Sequence, residues 1–316
     1  MSGEQRYQIS YGKLQVPVYR AYAQPLEGVA PIPESAFRGR GNQLVGMQVD
    51  VEVFGDNFLP AYTTGDNSMV VATDSMKNII LRHALLAPCA TPAGYLDSLG
   101  RYLLATYPQM QALRLTAREL PFDAVPVPAP DGKGGFAPSA VLFGNTRGDT
   151  ASATLSFARD AAGEPALTGH ECGITGMRLL KVTGSAFTRF VRDANTTLPE
   201  RGDRPLYIFM DVGWTYGSPA DLLAPDHARY VPPEQVRDLL QVTFAEFISE
   251  SIQHLVHEMG TRLLARFPQL ASVSFSAQNH TPDPVAVSET NPKEKVYSSA
   301  FPAYGHIALT LRQGNV

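Results

Sequence analysis

Cysteine is nearly absent: Cys89 and Cys172 are the only two among 316 residues, and neither belongs to a CxxC pair or a Cys/His pattern with zinc spacing. That excludes a disulfide framework and leaves two separate thiols, expected to be buried in a reducing compartment. Long apolar runs are missing too, since no stretch approaches the roughly 18 uninterrupted apolar residues that a membrane-spanning helix requires. Met1-Ser2-Gly3-Glu4-Gln5-Arg6 lacks the apolar run of a secretory signal, and Gln313-Gly314-Asn315-Val316 is not a peroxisomal address, so the cytoplasm is the expected location. Neither sign of charge dominates. With 26 Lys and Arg against 30 Asp and Glu the net charge is -4, which provides no field for holding a polyanion, and no nucleic-acid partner is expected. There is also no GxGxxG after a strand, no GxxxxGK(S/T) loop, no GxSxG elbow and no HExxH helix, which lowers the weight of the common cofactor and hydrolase chemistries.

What remains is an ordered, loop-rich chain of about two domains, 44% hydrophobic, whose 26 Gly and 25 Pro fall between periodic segments. Residues 7–22 and 43–58 read as an antiparallel strand pair. In the second, Val45, Met47, Val49, Val51 and Val53 take one face while Gln48, Asp50 and Glu52 take the other. Thr73-Asp74-Ser75 can cap or open a helix over 76–86, a second helix spans 94–106 up to Pro108, and strands follow at 110–120, 139–145 and 150–159. The second half repeats that order: strands at 166–183 and 206–216, one long helix over 234–266, then strands at 270–278 and 298–312. The string LLATYPQMQALRLTAR from Leu103 is echoed by LLARFPQLASVSFSAQ from Leu263, 160 positions later, which points to internal duplication. The expected fold class is α+β, two tandem ββααββ-like domains over 1–148 and 149–316, with antiparallel sheets carrying helices on one face. Open sheet edges invite closure between subunits, so a symmetric oligomer is expected.

Two polar clusters compete for chemistry. Glu246, Glu250, His254 and His257 would share one face of the long helix, but no partner ligands from another element stand out, and His170-Glu171-Cys172 lacks the PCxxC partner of zinc deaminases; no metal site is expected. The segment Tyr62-Thr63-Thr64-Gly65-Asp66-Asn67-Ser68-Met69-Val70-Val71-Ala72-Thr73-Asp74-Ser75-Met76-Lys77-Asn78 is more informative, because it is dense in polar residues and puts Thr73 and Asp74 where a helix begins. Free N–H groups there favour an anion, and the Thr73 hydroxyl can relay a proton.

That string resembles the most specific stretch of the urate oxidase (uricase) family, and Tyr11-Gly12-Lys13 resembles its other early signature. The similarity continues in order through Gly184-Ser185-Ala186-Phe187, Arg192-Asp193, Thr196-Thr197-Leu198, Asp203-Arg204 and Ser251-Ile252-Gln253 to Asn279. The resemblance implies a tunnelling fold, a homotetramer with active sites at subunit interfaces, and oxidation of urate by O2 to 5-hydroxyisourate and H2O2 with no metal or organic cofactor. It implies that Phe187 stacks on the purine, that Arg204, the Gln253 amide and the Ile252 backbone grip its polar edge, and that Thr73 and Asp74 come from a neighbouring subunit. Lys13 would pair with Thr73 as proton relay, and Asn279 would hold O2 or water above the ring. The roles are chemically coherent: an aromatic platform and a planar Arg fork suit a flat anion, and a base acting through a hydroxyl prepares it to give up electrons. One departure stands out. The family reads Asn, a basic residue, then His, whereas here Asn279 is followed by His280 and Thr281; His280 is the preferred third relay member, with Thr281 as the alternative. The competing readings are a metal-dependent purine or pterin enzyme of the same fold and a non-catalytic purine-binding protein.

Overall fold

The structure is a computed structural model and describes residues 7–130, 132, 134–298 and 302–314. The termini read above for a leader and an address (1–6 and 315–316), and residues 299–301 of the expected last strand, lie outside the described residues. In chain order the elements are β1 (Ser10–Ala21), β2 (Leu44–Phe54), α1 (Leu59–Thr63), α2 (Thr73–Leu86), α3 (Pro92–Thr106), β3 (Ala112–Glu119), β4 (Phe122–Pro128), β5 (Phe136–Asn145) and β6 (Thr150–Arg159). They continue with β7 (Pro165–Phe187), β8 (Arg201–Tyr216), α4 (Pro219–Leu223), α5 (Pro233–Glu246), α6 (Ile252–Arg266), β9 (Leu270–Asn279), β10 (Asp283–Val287), β11 (Lys295–Ser298) and β12 (Gly305–Arg312). No described helix is long and apolar enough to cross a membrane.

The chain divides into two compact units, one of residues 1–30, 38–172 and 218–230, the other of 31–37, 173–217 and 231–316. In the first, the strand order is β1-β2-β3-β6, every pair antiparallel, with α2 and α3 between β2 and β3 in sequence. Period-two alternation buries Val49, Val51 and Val53 with Leu113, Leu115, Ala117, Leu155 and Phe157, and Met76, Ile80, Leu96, Leu99 and Leu103 of the helices are equally buried. The other face is polar, with Thr116 and Thr154 hydrogen-bonded at 3.0 Å. The sequence division at 148/149 falls just ahead of β6, which pairs with β3 and stays in the first unit.

The second unit takes the order β8-β9-β12, again antiparallel, with α5 and α6 between β8 and β9 in sequence. Its core is Leu206, Ile208, Met210, Val212, Val273, Phe275 and Ala277 with the apolar sides of the two helices. The 160-residue echo extends into the side chains. Thr91 caps α3 by accepting the Gly94 N–H at 3.1 Å, and Ser251 caps α6 by accepting the His254 N–H at 3.1 Å. A Cβ on Gly100 would strike the Phe157 ring, and one on Gly260 would strike Leu311, so each helix reaches its sheet through a glycine at the same place in the repeat. Each unit also inserts a two-stranded hairpin between its last two sheet strands, β4–β5 and β10–β11.

The single long helix expected over 234–266 is two helices, interrupted at residues 247–251. The interruption has a tertiary cause: the Ala186 N–H donates to the Ser249 carbonyl at 2.7 Å, and Lys181 Nζ donates to the Phe247 carbonyl at 3.1 Å, so β7 claims this backbone. Leu240, Phe244, Ile248 and Ile252 keep a four-residue apolar spacing across the break, yet Ile248 is 69% exposed.

Candidate functional site

In the first unit, the Tyr11-Gly12-Lys13 segment organises the start of α2. Tyr11 packs edge-on against Phe58 at 5.0 Å, and its hydroxyl accepts the Val71 N–H at 3.2 Å, which holds the Val70-Val71-Ala72 segment beside β1. Burial raises the Tyr11 pKa, keeping the phenol neutral. Gly12 admits no Cβ because one would meet the Val51 carbonyl on β2. Lys13 lies opposite Val51, just before a bulge in which Gln15, at φ 56, donates its N–H to Asp50 Oδ1 at 2.7 Å. Tyr11 therefore brings the Thr73-Asp74 turn toward the Lys13 strand. The Asp74 carboxyl lies below the usual range, chiefly through its hydrogen bond and attraction to Lys77, with smaller contributions from Asn78 and the Lys13 charge.

Thr73-Asp74-Ser75 do not act as caps. The N-cap of α2 is Ala72, with no side-chain cap bond, so Thr73 and Asp74 are exposed first-turn residues with open N–H groups. The Gly65 turn before them has φ +72 and is held by Asp66 Oδ1, which accepts the Ser68 N–H at 2.9 Å.

In the second unit, Phe187 ends β7 and Arg204 lies near the start of β8. The two strands are tied by Ser185 Oγ donating to the Arg204 carbonyl at 3.1 Å, and the Arg204 guanidinium carbon sits 5.2 Å from the Phe187 ring centroid. Arg204 Nε is buried and has no partner among the described residues. Burial presses the guanidinium pKa down, against the attraction of Asp283. A buried charged donor without an acceptor is costly in the free protein and suits a ligand acceptor. Gly184 turns at φ +80, with its N–H on Asp203 Oδ1 at 2.7 Å, which fixes the approach to Phe187.

The Ser249 bridge that interrupts the helix sets α6 against this corner. Ile252 is buried as the first residue of α6, and Gln253 beside it is exposed. Asn279 ends β9 opposite Ile208, four residues along β8 from Arg204, and its Oδ1 accepts the Thr281 N–H at 3.0 Å. That bond leaves the Asn279 amide group to present its N–H donors elsewhere.

His280 does not share this side. Its N–H continues the β-ladder to the Tyr207 carbonyl at 2.9 Å, so its side chain projects from the opposite face to Asn279. There its ring stacks on Phe209 at 4.0 Å, and Nε2 meets Gln278 Oε1 at 2.9 Å. Thr281, whose N–H donates to the Asn279 side chain, has its Oγ1 buried with no partner among the described residues. The preference for His280 over Thr281 thus meets a geometric objection that strand alternation past Asn279 already contained.

The metal-like cluster is dispersed. Glu246 ends α5 and pairs with Arg262 at 3.3 Å, Glu250 pairs with Arg189 at 3.1 Å, and His254 packs edge-on against Phe247 at 4.7 Å. Among the described residues no group of three or more His, Cys, Asp or Glu could hold a metal ion. Both thiols are pushed up by burial, Cys89 to about 11 and Cys172 to about 12, which makes them poor nucleophiles.

The sequence profile of the family described as Uricase matches residues 48–147 and 170–308, more than half of the chain and both units. The chain belongs to the uricase family. A uricase of Haloferax volcanii is 50% identical over 273 residues, covering 86% of this chain and 88% of that protein. The uric acid degradation bifunctional protein PucL of Bacillus subtilis is 43% identical over 304 residues, covering 96% of this chain but 61% of the larger protein. Among solved structures, a urate oxidase from Bacillus sp. TB-90 superposes with a TM-score of 0.93 at 38% identity, covering 97% of this chain and all of that one. The uricase fold is therefore shared over nearly the full length, antiparallel sheets and helices alike.

Proposed function

We propose that this protein is a urate oxidase acting in purine degradation: urate, O2 and water give 5-hydroxyisourate and H2O2, the purine losing two electrons and O2 gaining them as peroxide. The observation that carries the reading is the Arg204 guanidinium held over Phe187 with a buried Nε that has no partner among the described residues, a platform and a donor fork suited to a flat anion. Phe187 stacks on the purine, Arg204 and the Gln253 amide bond its polar edge with help from the Ile252 backbone, and Asn279 holds O2 or water above it. Thr73 and Asp74, exposed at an uncapped helix start, reach the purine of a neighbouring subunit, and Lys13 with Thr73 moves the proton. The assembly is a homotetramer with sites at subunit interfaces, located in the cytoplasm, and the reaction uses no metal or organic cofactor because the reduced purine itself supplies the electrons.

An oxygen electrode tests this. Protein dialysed against a strong chelator is expected to consume urate and O2 in equal amounts while H2O2 accumulates. Strict dependence on added metal would favour the metal-dependent alternative, and purine binding without O2 uptake would favour the non-catalytic one.

The relay has its own test. Thr281→Val keeps shape and the N–H on Asn279 but removes the orphan hydroxyl, and is expected to lower kcat by about tenfold or more. His280→Ala loses ring stacking and is expected to lower Tm by about 1–3 °C while kcat stays within about twofold. Steady-state rates on the two variants check this; a large kcat loss in His280→Ala alone would restore His280 to the relay.

A further inference from the structure

Beyond Phe187 the chain does something unusual. Arg189 adopts φ 59, a left-handed conformation that L side chains rarely take, and is held there by Glu200 Oε1, which accepts its N–H at 2.9 Å, and by Glu250, which accepts from its guanidinium at 3.1 Å. The result of this turn is specific. It folds Phe190 back so that its ring lies 4.9 Å from the Phe187 ring with only 12° between the planes. Arg192 then places its guanidinium carbon 5.5 Å from the Phe190 centroid and donates to the Leu198 carbonyl at 3.0 Å, which anchors it. A stack of Arg192, Phe190 and Phe187 results, with Arg204 also over Phe187 at 5.2 Å.

We infer that Phe190 is a positioning residue for the purine: it backs the Phe187 ring, fixes its plane before substrate arrives, and so raises affinity without touching the reacting atoms. This rests on Phe187 being the purine platform. The physical argument is pre-organisation. A phenyl ring at the end of a strand, packed on one side only, would lose rotational freedom when a purine stacks on it, and that loss would subtract from binding. With Phe190 already stacked and a cation 5.5 Å from the centre of its ring, the loss has been met during folding. A strained turn kept at a strand end with two carboxylates is what such a device requires.

The test compares Phe190→Leu and Phe190→Met with Phe190→Tyr, reading KM and kcat for urate and, independently, the equilibrium dissociation constant for xanthine as a non-oxidised purine. Phe190→Leu is expected to raise KM and the xanthine constant together by about three- to tenfold with kcat within about twofold. Phe190→Tyr should leave all three within about twofold. Phe190→Met fills the space without a ring, so it gives the same answer should Phe190→Leu fold poorly. Unchanged KM and xanthine binding in the ringless variants would overturn the inference. So would tighter binding, which would mean that Phe190 occupies the face the purine needs. The xanthine arm reads the inference even if the wild type leaves urate intact, an outcome that would sink the oxidation reading alone; a wild type that binds neither purine would sink both.

Discussion

Replacing Arg204 with alanine is expected to raise KM for urate by a hundredfold or more and to abolish measurable xanthine binding, while Tm changes by no more than about 2 °C. The asymmetry follows from the free protein. Arg204 Nε is buried without an acceptor among the described residues, so its removal relieves an unsatisfied donor and sacrifices the contact with the Phe187 ring and the attraction of Asp283. On the proposed role, the same guanidinium gives a bound purine two charge-assisted bonds, each of about 1.5–3 kcal/mol, and their joint loss corresponds to about two to four powers of ten in affinity. Arg204→Lys restores the charge but not the planar fork and should recover at most a small part. Steady-state kinetics, equilibrium binding and a thermal melt on the same preparations check this. An Arg204→Ala protein with unchanged KM, or one that melts far below the wild type, would place Arg204 outside the binding site.

Lys13→Ala is expected to do the opposite, lowering kcat by about a hundred- to ten-thousandfold with KM and xanthine affinity nearly unchanged. Lys13 lies half-buried next to a bulge that Gln15 and Asp50 pin, so its truncation leaves the surrounding hydrogen bonds intact. If Lys13 works through the Thr73 hydroxyl, Thr73→Val should also lower kcat, and the double variant should be little slower than Lys13→Ala alone, because two members of one relay are not additive. Rapid single-turnover measurements separate the chemical step from product release. Multiplicative losses in the double variant would argue that the two residues act on different steps.

Much of the architecture was legible from periodicity. Alternation in 43–58 gave β2 and its buried valines, and the echo from Leu103 to Leu263 gave the repeat, down to helix exits at Tyr107 and Phe267. The hairpins β4–β5 and β10–β11 were less legible, because Pro126, Pro128, Pro138 and Pro284 interrupt strands that bury no continuous face. The break between α5 and α6 was hidden, since Phe244, Ile248 and Ile252 keep helical spacing through it; the one local signal was Ser251, a good N-cap three residues before His254. For the candidate site, motifs named Phe187, Arg204, Thr73 and Asn279. They did not reveal that Tyr11 holds the segment ahead of Thr73, or that Phe190 returns onto Phe187.

The sequence by itself determined which residue types are available, the order of the elements, and the repeat, because side-chain periodicity and caps act within a few residues. Tertiary structure alone decided where the long apolar helix stops, that the His280 backbone continues the ladder beyond Asn279, and that Arg204 keeps a buried donor without a partner among the described residues. Those outcomes depend on hydrogen bonds between positions far apart in the chain, Ala186 to Ser249 and Tyr207 to His280 among them, and local pattern carries no record of such partners.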